Sequence, residues 1–248
     1  MRNLILAAFL ASVTGVCFSQ SPAWSGTYGG VSLGGRTVEA DWTTTAADPP
    51  NPVDTTTNTA SYNSTAARIG GFLGYNWEVA PTWIAGVEVD LGYANNNKTN
   101  AGIPGTYGPV IGSPTAAALA NDSTSVKATW DGSLRGRIGA LVTPAALVYL
   151  TGGVAWQNVE VSASCRGSGF GWCSLVHAPQ TNTSTRTGWT LGGGVEGTIS
   201  KDWQWRAEYR YADFGSKSET FFAGPLDAVT ADVKIRTHTA IVGLVFKF

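Results

Sequence analysis

The sequence is poor in charge, in methionine and in cysteine. Charged residues make up 13% of its 248 residues, against about 25% in typical domains, and the formal net charge is −1. Because this balance offers no strongly basic patch, we expect no nucleic-acid partner. Glycine and tryptophan are abundant instead, with 31 and 10 residues. Low charge together with many Gly, Trp, Tyr and Thr residues favours a β protein over a helical enzyme.

The sequence also lacks a hydrophobic run that is long enough for a transmembrane helix. The run Leu4–Val16 is shorter than the ~20 residues that such a helix needs. Because it follows Arg2 and ends before small residues, it is typical of the apolar region of a secretory signal peptide. We therefore expect residues 1–23 to be a signal peptide cleaved near residues 19–23, and residues 24–248 to form one domain.

Only two cysteines, Cys165 and Cys173, follow that segment. An exported chain enters an oxidising compartment, so we expect a disulfide between them, with two free thiols as the alternative. The sequence has only two histidines, His177 and His238, and neither has a partner at metal-ligand spacing. We therefore expect no metal and no cofactor.

The stretch WQWRAEYRYADFG, residues 203–215, alternates strictly between two kinds of side chain. Trp203, Trp205, Tyr209 and their neighbours form one face, and charged residues form the other, which is the pattern of a β-strand. Other segments alternate in the same way, and together they predict eight strands. These segments are 27–42, 67–77, 83–93, 126–142, 147–156, 186–199 and 233–248.

The connections between these segments alternate in length. Short ones lie at 79–82, 143–146 and 200–202, and long polar ones at 43–65, 94–125, 163–185 and 215–231. An even number of antiparallel strands with this asymmetry is typical of bacterial outer-membrane barrels. We therefore predict an all-β fold, an eight-stranded antiparallel transmembrane β-barrel with short periplasmic turns and four long extracellular loops. A soluble sandwich is the alternative.

The last strand, AIVGLVFKF, places Ala240, Val242, Leu244, Phe246 and Phe248 on one face and ends the chain on phenylalanine. This ending resembles the terminal aromatic signature by which outer-membrane proteins are recognised for insertion. The resemblance implies that Phe246 and Phe248 form an insertion signal, and that the barrel-assembly machinery is a partner during insertion.

If the aromatic faces meet lipid, ten charged side chains point into the lumen. Five are acidic and five are basic, so their charges nearly cancel, as buried charges require. An eight-stranded barrel is narrow enough to be filled by side chains, so we expect a network of ion pairs and no wide pore. The ten residues are Arg68, Glu88, Asp90, Asp131, Arg135, Arg137, Glu196, Arg206, Glu208 and Arg210.

The remaining aromatic residues predict two belts at the membrane interfaces. One belt flanks the short turns, and the other lies toward the loop ends of the strands. The first contains Trp77, Trp83, Trp203 and Trp205; the second contains Trp42, Trp130, Trp156, Trp189, Tyr93 and Tyr211.

An outer-membrane lipid enzyme would need a histidine beside a nucleophile. His238 falls near the loop end of its strand, where Asp232 and Ser218 are candidate neighbours, but nothing in the sequence selects a catalytic trio. The glycine pattern at 192–197 lies inside a strand, and a dinucleotide site needs such a pattern between a strand and a helix. We therefore expect that the protein is not an enzyme.

Three stretches are similar to the Omp25/Omp31-type outer-membrane proteins of α-proteobacteria. They are WSGTYGGVSLGG (24–35), EYRYADFG (208–215) and THTAIVGLVFKF (237–248). The resemblance implies a surface-exposed barrel in a Gram-negative outer membrane, with envelope-integrity, adhesion or minor porin roles. The expected partners are outer-membrane lipid, lipopolysaccharide and a surface ligand on the loops. We predict a structural or surface-interaction role, with a narrow solute channel and a lipid-modifying enzyme as alternatives.

Overall fold

The computed structural model describes residues 24–47, 53–106, 122–165, 177–224 and 228–248. Eight antiparallel strands form one closed barrel, and each strand pairs with its neighbours in chain order. The predicted fold class is confirmed. The strands are β1 (Gly26–Ala47), β2 (Thr59–Ala80), β3 (Trp83–Ala101), β4 (Ser123–Thr143), β5 (Ala146–Ser164), β6 (Gln180–Thr198), β7 (Trp203–Phe221) and β8 (Val229–Lys247).

The predicted signal peptide, residues 1–23, lies outside the described residues and stays a prediction. Within the described part of the chain, no helix is long and apolar enough to cross a membrane.

The strands reach further toward the long loops than the sequence predicted. β1 continues to Ala47 and β6 begins at Gln180, so segments that we assigned to loops are in fact paired strands. The physical reason is that these segments are rich in threonine, whose branched side chain suits a strand. In β6, for example, Thr181, Thr183 and Thr185 all lie exposed on the outer face. The predicted loop boundaries were therefore wrong.

An apolar band surrounds the part of the barrel next to the short turns. Trp83 and Tyr93 mark its two edges on β3, and both rings are exposed on the outer face. A strand rising ~3.3 Å per residue at a tilt of ~40° covers ~25 Å between them, which is the height of the apolar band in outer-membrane barrels. The outward side chains between the edges include Val31, Leu33, Ile69, Leu73, Val87, Val89, Leu91, Leu134, Ile138, Leu150, Leu191, Val242 and Leu244.

Beyond the outer edge of this band, the polarity of the wall is inverted. Glu39 and Asp41 of β1 face outward, whereas Val38, Ala40 and Trp42 of the same strand are buried inside. This part of the barrel lies in water, where an apolar core must be inside. The interior core of this outer half also contains Tyr62, Ile103, Val126, Ala128, Val159, Val161, Phe214, Phe221, Phe222, Val233 and Ile235.

Trp42 therefore contradicts the prediction that it belongs to the outer aromatic belt. Its ring is fully buried and stacks on Phe221, with the ring centroids 5.6 Å apart. Its indole Nε1 donates a hydrogen bond to Thr44 Oγ1 at 2.9 Å. The side chains of β1 do alternate between two faces, as predicted. Beyond the apolar band, however, the apolar face of the strand is the inner one.

A β-bulge in β4 overturns a second prediction. Regular alternation along the predicted strand 126–142 would place Val126 and Ala128 on the lipid face together with Trp130, but both are buried inside. Between Ala128 and Asp131, two residues of β4 lie opposite a single residue of β5. Such an extra residue moves the following side chains to the other face, so Trp130 points outward although Ala128 points inward.

We predict that Trp42→Ala lowers the free energy of unfolding by about 3–5 kcal/mol, because it leaves a cavity in the core of the outer half. The matched control is Trp83→Ala, which removes a ring that is 48% exposed and should cost clearly less. Urea titration of the refolded barrel in detergent micelles, followed by far-UV circular dichroism, measures both. Equal losses in the two variants would contradict the inverted core.

Candidate functional site in the barrel interior

All ten charged residues that the sequence assigned to the lumen have side chains inside the barrel wall. Nine of them are buried, and the Asp131 side chain is 15% exposed. They lie on β2, β3, β4, β6 and β7. Every second side chain of a strand points into the barrel, and these residues occupy such positions. The barrel closes these strands around one axis, so side chains distant in sequence meet.

Glu88 is the centre of the part of the network nearest the short turns. Its carboxylate accepts a hydrogen bond from Arg135, and its Oε2 lies 2.7 Å from Arg206 Nη1. Arg206 also donates from Nε to Glu196 at 2.8 Å. Arg137 Nη2 lies 2.9 Å from the same Glu196 oxygen. Each arginine here faces at least one carboxylate, as buried charge requires.

Asp90 is the centre of the next layer. Arg68 Nη2 and Arg210 Nη1 each lie 2.8 Å from one of its two carboxylate oxygens. Arg68 also reaches Asp131, where the Nη2–Oδ2 distance is 2.6 Å. Arg68 Nε also donates to Asp131 at 3.0 Å, so the guanidinium holds Asp131 in the forked geometry that arginine offers while it contacts Asp90 on the neighbouring strand.

Glu208 connects the two layers. Its Oε1 lies 2.9 Å from Arg135 Nη1 and 3.2 Å from Arg210 Nε, so one oxygen contacts an arginine of each layer. Its Oε2 accepts a hydrogen bond from the Tyr149 hydroxyl at 2.6 Å. The ten residues therefore form one continuous network along the barrel axis.

Arg36 belongs to this network and was missed by the sequence reasoning. It pairs with Asp131, and its Nη2 donates to the carbonyl oxygens of Ala94, Ala128 and Thr129 at 3.1, 3.0 and 2.7 Å. The last two carbonyls belong to the bulge of β4, so Arg36 stabilises the point where that strand changes face. The signal was present, because Arg36 follows inward-facing Ser32 by four residues on a predicted strand.

Aromatic rings fill the space between the guanidinium groups. Arg137 Cζ lies 4.0 Å from the ring centroid of Tyr149, and Arg206 Cζ lies 4.1 Å from that of Phe72. Such cation–π contacts are favourable where the cation has lost its water. A cavity of about 20 Å³ remains beside Arg36, and this volume suits about one water molecule.

Trp24 closes the mouth of the barrel at the end that carries the short turns. Gly26 has a φ of 114°, which a residue with a side chain rarely adopts, and it turns the chain so that Trp24 enters the mouth. The indole packs with Ile84 and Leu147 and donates from Nε1 to the carbonyl of Pro144 at 3.2 Å. The W-S-G opening of the domain thus has a physical role in closing this end.

The remaining predicted residues lie apart from the network. Phe248 is 78% exposed on the outer face at the chain end, and its ring meets that of Phe246 edge to face at 5.3 Å. Their role in insertion stays a prediction. Cys165 is buried directly after β5, but Cys173 lies outside the described residues, so the disulfide also stays a prediction.

The candidate catalytic trio is not assembled. His238 Nδ1 lies 2.6 Å from the Tyr209 hydroxyl, and His238 Nε2 lies 3.8 Å from a Glu39 carboxylate oxygen. Ser218 instead donates its hydroxyl to Asp232. The histidine and the serine therefore have different partners.

Comparison with known proteins places this geometry in a family context. The profile of the family described as "Outer membrane protein beta-barrel domain" matches residues 7–248. The chain is 29% identical over 232 residues to the 31 kDa outer-membrane immunogenic protein of Brucella melitensis, covering 91% of this chain and 84% of that protein. It is 31% identical over 153 residues to the 22 kDa outer membrane protein of Rhizobium leguminosarum, covering 62% and 55% of the two chains.

A similar fold occurs in the crystal structure of the outer membrane protein OprG from Pseudomonas aeruginosa. The TM-score is 0.54 at 12% identity, and the match covers 90% of this chain and 98% of that one. At this identity the likeness concerns the fold alone.

We predict that Glu88→Gln destabilises the barrel by about 3–5 kcal/mol, because it leaves buried Arg135 and Arg206 with too few carboxylates. The matched control is Glu160→Gln, which breaks a half-exposed pair with Lys127 at 3.2 Å on the outer face and should cost about 1 kcal/mol or less. Urea midpoints in detergent micelles measure both losses. A loss for Glu88→Gln as small as that of the control would contradict the network.

Proposed function

Since the chain belongs to the outer membrane protein β-barrel family, as an Omp25/Omp31-type protein of a Gram-negative outer membrane, we propose that it is a closed structural barrel that presents loops at the cell surface. The observation that carries this proposal is the filled interior. The barrel serves as a stable membrane anchor, and the loops make the contacts with the surroundings.

Three successive layers support a barrel that does not conduct. Nearest the periplasm, Trp24 packs against Ile84 and Leu147. The network of arginines and carboxylates follows, and an ion could pass only by breaking pairs whose buried charges would then be unpaired. The apolar core around Trp42 and Phe221 comes last, and its buried aromatic and aliphatic side chains make the passage of an ion costly.

The outer half of the barrel supports a surface role. Its strands continue beyond the apolar band with polar side chains outside, so they carry the loops away from the bilayer. The relatives named outer-membrane immunogenic proteins are consistent with exposure of such loops. A rigid support of this kind suits loops that contact a surface ligand.

We predict no steady ion conductance when the protein is inserted in planar bilayers at neutral pH. The double variant Glu88→Ala/Arg206→Ala should also stay closed, because the apolar core of the outer half lies in series with the charge network. Heat-modifiable gel mobility serves as the control that each protein is folded. Steady, ion-selective openings of the unaltered protein would instead support the narrow-channel alternative.

We predict that an epitope tag inserted after Thr56, in an exposed turn beyond the end of β1, is labelled by antibody on intact cells. The matched control is the same tag after Lys201, in the exposed turn between β6 and β7, which should be labelled only after the outer membrane is permeabilised. Labelling of the Lys201 tag on intact cells would reverse the proposed orientation.

A further inference from the structure

The lipid-facing wall contains an apolar groove where β1, β2 and β8 meet. It has a volume of about 320 Å³ and is lined by Val31, Leu33, Ile69, Val242 and Leu244, among others. The register places the outward-facing Gly71 of β2, which has no side chain, beside Val31 at the border of the groove. The groove lies within the apolar band, so the chemistry that it accepts is a hydrocarbon chain.

The strand that forms one side of the groove carries cations at its outer end. Beyond Val242, the outward residues of β8 are Ala240, His238, Arg236, Lys234, Asp232 and Thr230, in that order. The small side chain of Ala240, beside Gly35 of β1, leaves the way from the groove to His238 unobstructed. The groove and the cations are therefore two parts of one continuous surface.

Aromatic rings on the outer face border these cations. The ring centroids of His238 and Tyr211 are 5.2 Å apart, and those of Tyr211 and Trp189 are 5.4 Å apart. The Tyr209 hydroxyl holds His238 through its Nδ1. Together Trp189, Tyr209, Tyr211 and His238 form an aromatic platform at the outer edge of the apolar band, where lipid headgroups lie.

Carboxylates accompany the cations on the same surface. Arg236 pairs with Asp41, and Lys234 Nζ lies 3.6 Å from Asp213. The charges are therefore mixed, and the Lys234 side chain remains 46% exposed. Cations of this kind bind phosphate, whereas carboxylates accept hydrogen bonds from hydroxyl groups. A headgroup that carries both phosphate and sugar hydroxyls matches this mixture better than a simple anion does.

We propose that this face of β1, β2, β7 and β8 binds a phosphorylated glycolipid of the outer leaflet. One acyl chain occupies the groove, a sugar ring lies against the aromatic platform, and a phosphate contacts Lys234 and Arg236. The inference requires only that the barrel lies in the outer membrane. It does not depend on whether the lumen conducts.

The test measures lipid retention by the full barrel in detergent micelles with native mass spectrometry. The probes are bisphosphorylated lipid A, the same lipid without phosphates, and phosphatidylglycerol. We expect one bound bisphosphorylated lipid A per barrel, held more tightly than either of the other two lipids. The double variant Lys234→Ala/Arg236→Ala should weaken its binding about tenfold or more, because charge-assisted hydrogen bonds to the phosphate are lost.

Gly71→Leu tests the groove, since the new side chain would stand beside Val31 at its border. A Cβ at Gly71 would meet only a carbonyl oxygen at 3.6 Å, so the barrel should fold normally. Gly136→Leu is the matched control, because that outward glycine of β4 lies away from the groove and its Cβ would meet a carbonyl oxygen at 3.9 Å. We expect weaker lipid A binding for Gly71→Leu and unchanged binding for Gly136→Leu.

Two results would overturn the proposal. Phosphatidylglycerol binding as tight as lipid A binding would show a site for anionic lipids without a role for the sugar. Equal retention of lipid A by Gly71→Leu, Gly136→Leu and the unaltered protein would show that the groove takes no part. Heat-modifiable mobility of every variant ensures that these results concern binding and not folding.

Discussion

The pairing of buried arginines with carboxylates is the interaction on which the rest of the structure depends. Apolar side chains must face lipid around the membrane half of the barrel, so the polar half of each strand pattern is forced inward. The interior is too narrow to hydrate these charges, and an unpaired one would cost several kcal/mol. Glu88, Asp90 and Glu208 each contact more than one arginine, which ties together strands that are distant in sequence.

The sequence was sufficient to predict the number of strands, the short turns and the ten charged side chains that lie inside. These features follow from a period of two, which is a local property. Arg36 follows the same period and was overlooked. Trp42 and Val126 were misplaced for a different reason, since the alternation alone does not tell which environment surrounds a strand. In the outer half, which lies in water, the apolar face of each strand is the inner one. In β4, the bulge also moves the side chains that follow it to the opposite face.

The wall and the interior serve different purposes in the proposed function. The interior is packed and paired, and this makes the barrel a rigid support. The outer wall changes around its circumference, from the hydroxyl-rich face of β6 to the mixed charges and aromatic rings of β7, β8 and β1. Recognition of lipid on one face and presentation of loops above it are compatible, because neither requires the interior to move.

The change from an apolar to a polar exterior also fixes the depth of the protein in the membrane. Moving the barrel inward would drag Glu39, Asp41 and Arg236 into hydrocarbon, and moving it outward would expose the apolar band to water. Each charge carried to the midplane would cost up to about 2–4 kcal/mol. The barrel is thus held at one height, and this sets the distance of its loops above the bilayer.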